Sequence, residues 1–122
     1  MTKNSLSIAQ LNNYIKTLME CDDVLNYVTL RGEISNFKLH SSGHAYFTLK
    51  DERSEIAAVM FRSSAVLLDF APKSGDKVVA YGKVSVYEAS GKYQLYVSAM
   101  KNDGAGALYA EYLRLLELLR SE

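Results

Sequence analysis

The stretch EIAAVMFRSSAVLLDFAPKSGDKVVAYGKVSVY, residues 55–87, decides the fold. Its first part, Glu55 to Arg62, is a short run rich in β-forming side chains and is expected to be a strand. Residues 63–70 (SSAVLLDF) fit a short helix capped by Ser63 or Ser64, stopping ahead of the only proline, Pro72. Ser74-Gly75-Asp76 is a turn, and Lys77 to Tyr87 returns to strand character with Gly82 inside it. A glycine within a strand marks a bulge, a bend or the close approach of another backbone. The unit is therefore strand, helix, long bent strand.

Working outward toward the N-terminus, His44 to Lys50 (HAYFTLK) alternates, with Phe47 and Leu49 on one face and Tyr46, Thr48 and Lys50 on the other. Asp51 to Ser54 is a charged turn and Lys38 to Gly43 (KLHSSG) has the composition of a loop. Before it, Val28, Leu30, Gly32 and Ile34 alternate with Thr29, Arg31, Glu33 and Ser35, a strand whose glycine is expected at a bulge or corner. Residues 7–20 read as a helix: Ser7 and Gln10 form a capping-box pattern, and Ile8, Leu11, Ile15 and Leu18 recur at helical spacing.

Toward the C-terminus, Glu88 to Lys92 is a hairpin loop and Tyr93 to Met100 a fifth strand. After Gly104-Ala105-Gly106 comes a helical pattern with Leu108, Tyr112, Leu115 and Leu119 on one face. It reaches Glu122 without a cap, so residues 104–122 are expected to begin a helical linker and 1–103 to form the domain. Five strands with a helix between the third and fourth is the order of a five-stranded OB-fold β-barrel. An SH3-like barrel would not usually place a full helix there. The expected class is mainly β, with an N-terminal helix and a C-terminal linker helix.

The size of 122 residues suits one core, and 48% apolar with 23% charged residues is ordinary for a globular chain. No apolar run approaches the roughly 18 residues of a membrane span. One cysteine, Cys21, cannot form an internal disulfide, which favours a cytoplasmic setting, and it is expected to be a packed thiol. Net charge is zero, but it is unevenly placed. Residues 73–101 carry five Lys/Arg against two Asp/Glu, while residues 102–122 carry two against four. Positive charge thus gathers on the expected barrel.

An OB barrel takes ligand across its second and third strands, between the loops joining strands one and two and strands four and five. Those loops supply Lys38, His40 and Lys92, with Phe37, His44, Tyr87 and Tyr93 at their edges. Rings offer each base a stacking face worth roughly 1–3 kcal/mol, and cations meet phosphates. The plainer reading is that nine tyrosines are strand formers with a wet edge, Phe47 and Tyr81 being better packing candidates than Tyr46, Tyr87 and Tyr93. Arg31 and Arg62 either pair with Glu33 or Glu55 across strands or meet phosphates. His40 and His44 have a metal-like spacing without a nearby Cys or carboxylate, and Asp51, Glu52 and Glu55 read as a charged turn. No catalytic constellation, metal site or cofactor motif emerges.

Specific wording remains. Gly32-Glu33-Ile34-Ser35-Asn36-Phe37, then Ser42-Gly43-His44 with Tyr46-Phe47-Thr48-Leu49-Lys50-Asp51, then Met60-Phe61, resembles the large subunit of bacterial exodeoxyribonuclease VII. Gly75, Gly82, Tyr87-Glu88, Gly91 with Tyr93-Gln94-Leu95, Met100, and Gly104 with Gly106 agree, so the resemblance runs over essentially the whole chain.

That resemblance implies an N-terminal OB domain that binds single-stranded DNA. The family enzyme degrades such strands from either end to oligonucleotides and nucleoside 5′-phosphates, without strict need of a divalent metal. It works with several copies of a small subunit, and its catalytic domain lies beyond the OB domain. No catalytic residue is carried over to this chain, which alone is expected to be inactive. The binding residues implied are Arg31, Ser35, Asn36, Phe37, His44, Tyr46, Lys50, Phe61, Arg62, Tyr87 and Tyr93; Lys38 and Lys92 join them from the loops. Phe61 faces outward only if Ile56, Ala58 and Met60 form the buried set. Two other readings stand beside this one: an RNA-binding OB domain of the anticodon-reading type, and a protein-docking module pairing with a second copy through residues 108–119.

Overall fold

The structure, a computed structural model, describes residues 5–103; the expected linker helix and its apolar face lie outside the described residues. Five strands, β1 (Val28–Leu39), β2 (Ala45–Lys50), β3 (Glu55–Met60), β4 (Lys77–Tyr87) and β5 (Lys92–Asn102), close into a barrel in the order β1-β2-β3-β5-β4. The pairing of β3 with β5 is parallel, with Ala58 opposite Leu95 and Val59 opposite Tyr96; the other pairs are antiparallel. Among the described residues three helices, α1 (Ile8–Glu20), α2 (Asp23–Asn26) and α3 (Arg62–Ala65), accompany the barrel.

Alternation places the core. Ala45, Phe47 and Leu49 of β2 point inward, with Ile34, Ala58, Met60, Val78, Ala80, Val84, Leu95, Val97 and Met100 from the other strands. Ile34 and Leu95 are wholly buried. Burying each such side chain contributes about 1.5–3 kcal/mol.

Strand β1 serves two neighbours: residues 28–33 pair with β4, and residues 33–39 with β2. At the hand-over a Cβ on Gly32 would stand 2.8 Å from the Lys50 carbonyl oxygen and 2.9 Å from Leu49 Cγ. Gly32 therefore permits a close crossing, and no register shift occurs there. The expected bulge sits further on, between Ser35 and Lys38, where Asn36 takes φ 53°. Asn is among the few residues that tolerate that left-handed conformation. The irregularity brings Phe37 onto Phe47, ring centroids 5.9 Å apart. It is pinned by the turn before β4: the Phe37 N–H donates to Ser74 Oγ (3.1 Å), and the Gly75 N–H to the Ile34 carbonyl (2.8 Å). At Gly82 the expected irregularity is present: the β4–β5 register shifts after Tyr81, and a Cβ there would be driven into the Tyr96 carbonyl.

Several boundaries differ from expectation. Lys38 belongs to β1 rather than to a loop, because the bulge lets pairing resume at Lys38 opposite Tyr46. The third strand ends at Met60. The helix after it is only Arg62–Ala65; Phe61 stands at its N-cap without a side-chain bond, so neither Ser63 nor Ser64 caps it. Cys21 is exposed at the end of α1, not packed. The short α2 was not foreseen; Asp22 caps it by accepting from the Val24 and Leu25 N–H groups, 2.9 and 3.0 Å.

Helix α1 has its capping box: Ser7 Oγ accepts from the Gln10 N–H (3.0 Å) and Gln10 Oε1 from the Ser7 N–H (2.8 Å). It meets the barrel with polar groups. Asn12 Nδ2 donates to the Glu88 carbonyl (2.9 Å), and Lys16 Nζ lies 3.1 Å from Glu88 Oε1. Met19, near its end, packs against the core, while Ile8, Leu11, Ile15 and Leu18 are exposed.

Candidate nucleic-acid interface

Because Ala58 and Met60 lie in the core with Ile56 packed against it, Val59 and Phe61 belong to the outer face. Cross-strand registers then line up one outer row: Lys38 opposite Tyr46, Tyr46 opposite Val59, Val59 opposite Tyr96, Tyr96 opposite Lys83. The sequence is cation, ring, apolar, ring, cation across all five strands. Val59 is buried on this outer face, between the two tyrosines that oppose it. Adjacent strands lie about 4.8 Å apart, so the row tracks the barrel surface for roughly 19 Å.

More rings flank it. His44 meets Phe61 edge-on with centroids 5.3 Å apart, Phe61 lies 6.0 Å from Tyr96, and His40 stands edge-on to Tyr46 at 6.2 Å. Lys83 Nζ sits 6.0 Å from the Tyr96 ring centroid. Tyr46 is 44% exposed and Phe61 47%, enough for a base to lie against either. The Arg62 N–H donates to His44 Nδ1 (2.9 Å), so the neutral imidazole carries its proton on Nε2. Among the described residues the ion pairs are Lys16–Glu88 and Arg31–Asp103. Lys38, Lys83 and Arg62 are thus free of carboxylate partners there, and their charge is available to an anion.

The residues expected from the sequence divide. Lys38, His44, Tyr46, Phe61 and Arg62 come together on this face. Arg31, Lys50 and Tyr93 line a separate depression of about 230 Å³ with Asp51 and Glu55. Arg31 pairs with Asp103 (Nε to Oδ2, 3.8 Å), not with Glu33 or Glu55, and Arg62 pairs with neither. Asp51 is held below the usual carboxylate range because the Arg53 and Ser54 N–H groups donate to it. Ser35, Asn36 and Phe37 form the bulge of β1 and are engaged in the fold. Tyr87 and Lys92 oppose each other at the base of the β4–β5 loop, which α1 clasps through Glu88. Tyr96, Lys83 and Val59 were missed. Their signal was parity: with Leu95 and Val97 inward, Tyr96 has to face out. Among the described residues no three His, Cys, Asp or Glu side chains gather as a metal site.

Comparison with known proteins agrees with this architecture. Residues 6–101 match the model of the OB-fold nucleic acid binding domain. The exodeoxyribonuclease 7 large subunit of Clostridium botulinum (strain Hall) is 52% identical over 118 residues, which is 97% of this chain and 29% of the relative. The chain thus spans less than a third of that relative's length. Among solved structures, the S. pombe Stn1–Ten1 complex superposes with a TM-score of 0.55 at 10% identity, over 79% of this chain and 72% of that one. A replication protein A heterotrimer bound to ssDNA gives 0.51 at 13% identity, over 64% and 57%. At such identities these two structures speak to the fold alone. With its barrel closed in this order and most of its length matched, the chain belongs to the OB-fold nucleic acid binding domain family.

Proposed function

We propose that this domain binds single-stranded DNA along the Lys38–Tyr46–Val59–Tyr96–Lys83 row. In a longer protein akin to the exodeoxyribonuclease 7 large subunits, it hands the strand to a nuclease domain that degrades it to oligonucleotides and nucleoside 5′-phosphates. The observation that carries the reading is the row itself, with outward rings bracketed by cations that have no carboxylate partner among the described residues. Rings accept any base and cations neutralise phosphates, so the face suits sequence-tolerant capture of a single strand. Cleavage is assigned to the part of the relatives that this chain does not match, and the partner small subunits to that part as well. The setting proposed is the cytoplasm.

The test is a titration of the chain into labelled single-stranded DNA, with matched duplex and RNA controls, at 50 and 200 mM salt. Engagement of three phosphates by Lys38, Lys83 and Arg62 gives a salt slope of about −2, or about a twentyfold loss of affinity between those concentrations. Tyr46→Ala lowers affinity by about 1–3 kcal/mol while leaving the melt cooperative. Preference for duplex, or a salt-independent signal, contradicts the reading; preference for RNA redirects it to the anticodon-reading type.

A further inference from the structure

We infer that the groove between α2 and strands β4 and β5 is a nucleobase subsite, with Tyr27 as its stacking platform, so that a bound strand continues past the barrel face. This rests on the single-strand reading above and extends it to residues outside the strands. The groove encloses about 630 Å³, and Tyr27, Phe61, Tyr81 and Tyr96 line it, with Lys83 among them. Phe61 and Tyr96 belong to the face already described, so the groove is continuous with it.

Tyr27 is the next place on the row. Val28 pairs with Gly82, and Tyr27 precedes Val28 as Lys83 follows Gly82, so the line Lys38–Tyr46–Val59–Tyr96–Lys83 runs on to Tyr27. Its ring is 85% exposed, the largest exposure among the large apolar side chains of the described residues. Its backbone is held in place by α2. It caps α2, a turn anchored by the Asp22 cap, by Asn26 Nδ2 donating to the Glu20 carbonyl (2.6 Å) and by Leu25 packed on the core.

The groove's polar groups decide which part of a nucleotide enters. Glu20 and Lys16 both line it: Glu20 accepts from Ser85 Oγ at 3.4 Å and Lys16 is paired with Glu88, which leaves Lys83 as the lining cation free of a carboxylate partner among the described residues. Ser98 Oγ donates to the Tyr81 carbonyl at 3.0 Å. No buried side-chain polar atom of the described residues lacks a partner. Aromatic walls accept a base of any identity by its π-face. Lys83, 6.0 Å from the Tyr96 ring centroid, is placed to meet that nucleotide's phosphate.

The experiment uses the whole 122-residue chain and oligo-dT of increasing length, from about 4 to about 12 nucleotides, followed by anisotropy. Wild type gains affinity as the oligomer grows long enough to reach the groove. Tyr27→Ala removes that gain, about tenfold on the longest oligomer, and leaves the shortest unchanged; Tyr27→Trp restores it. Tyr46→Ala weakens every length. Equal length dependence for Tyr27→Ala and wild type, with Tyr46→Ala still weakened, overturns the subsite and leaves the barrel face standing. Failure of wild type to bind any length overturns the single-strand reading itself and the subsite with it.

Discussion

In β2, Ala45, Phe47 and Leu49 turn into the core while Tyr46, Thr48 and Lys50 turn away, and in α1 an equally regular pattern ends the other way round. Ile8, Leu11, Ile15 and Leu18 share one stripe of that helix, yet all are exposed, and the helix meets the barrel through Asn12, Asn13 and Lys16. The difference lies in what each face can reach. Closing the barrel forces the strand faces together, and only apolar side chains can fill the space enclosed. The helix lies beside a hairpin loop whose backbone offers a carbonyl, at Glu88, and whose side chain offers a carboxylate. Satisfying those groups turns the polar side of α1 inward. Periodicity thus says which residues travel together, and the neighbouring surface says which way they point.

The contrast can be broken most forcefully in the barrel. Leu95→Ala removes a wholly buried side chain and is expected to cost about 2–5 kcal/mol in a urea melt. A loss below about 1 kcal/mol would mean that the closed core is not where stability resides. A far smaller effect is expected at α1: Ile15→Lys should change stability by no more than about 0.5 kcal/mol. A cost of several kcal/mol there would mean that the stripe is covered in solution, and the comparison would fail.

The smallest effect is electrostatic. The Glu88 hydrogen bond and charge hold the Lys16 ammonium above its ordinary value. A raised value in the folded state means that the clasp contributes fully at neutral pH and is lost as pH climbs through that raised value, beyond the normal lysine range. Amide exchange at Gly91, where an added Cβ would stand 3.1 Å from Asn12 Nδ2, should quicken there in wild type more than in Lys16→Met. Identical profiles would show that the clasp does not depend on Lys16.

Much of the fold was legible because it follows from local rules. The capping box at Ser7 and Gln10 and the alternation that buries Phe47 and Leu49 rest on neighbours in the chain, and the irregularity at Gly82 was marked by the glycine itself. The motif Gly32 to Phe37 was legible as a family signature, but its physical meaning was not. Gly32 admits the Lys50 backbone, Asn36 takes the left-handed turn, and Phe37 fills against Phe47. Most of that motif serves barrel geometry, which is why it is specific without being a list of contacts. The candidate site was read in part: Lys38, His44, Tyr46, Phe61 and Arg62 converge, whereas Arg31, Lys50 and Tyr93 lie around another depression.

By itself the sequence determined the five strands, the inward residues of most of them and their order along the chain, because backbone period and side-chain hydrophobicity are local properties. Only the tertiary structure decided which outward residues stand side by side. The parallel pairing of β3 with β5 joins Val59 to Tyr96 and so connects the rings of two distant segments, and the crossing of β1 from β4 to β2 carries Lys38 to one end of the row. Register between non-adjacent strands is set by closure of the whole barrel, and no stretch of the chain contains it.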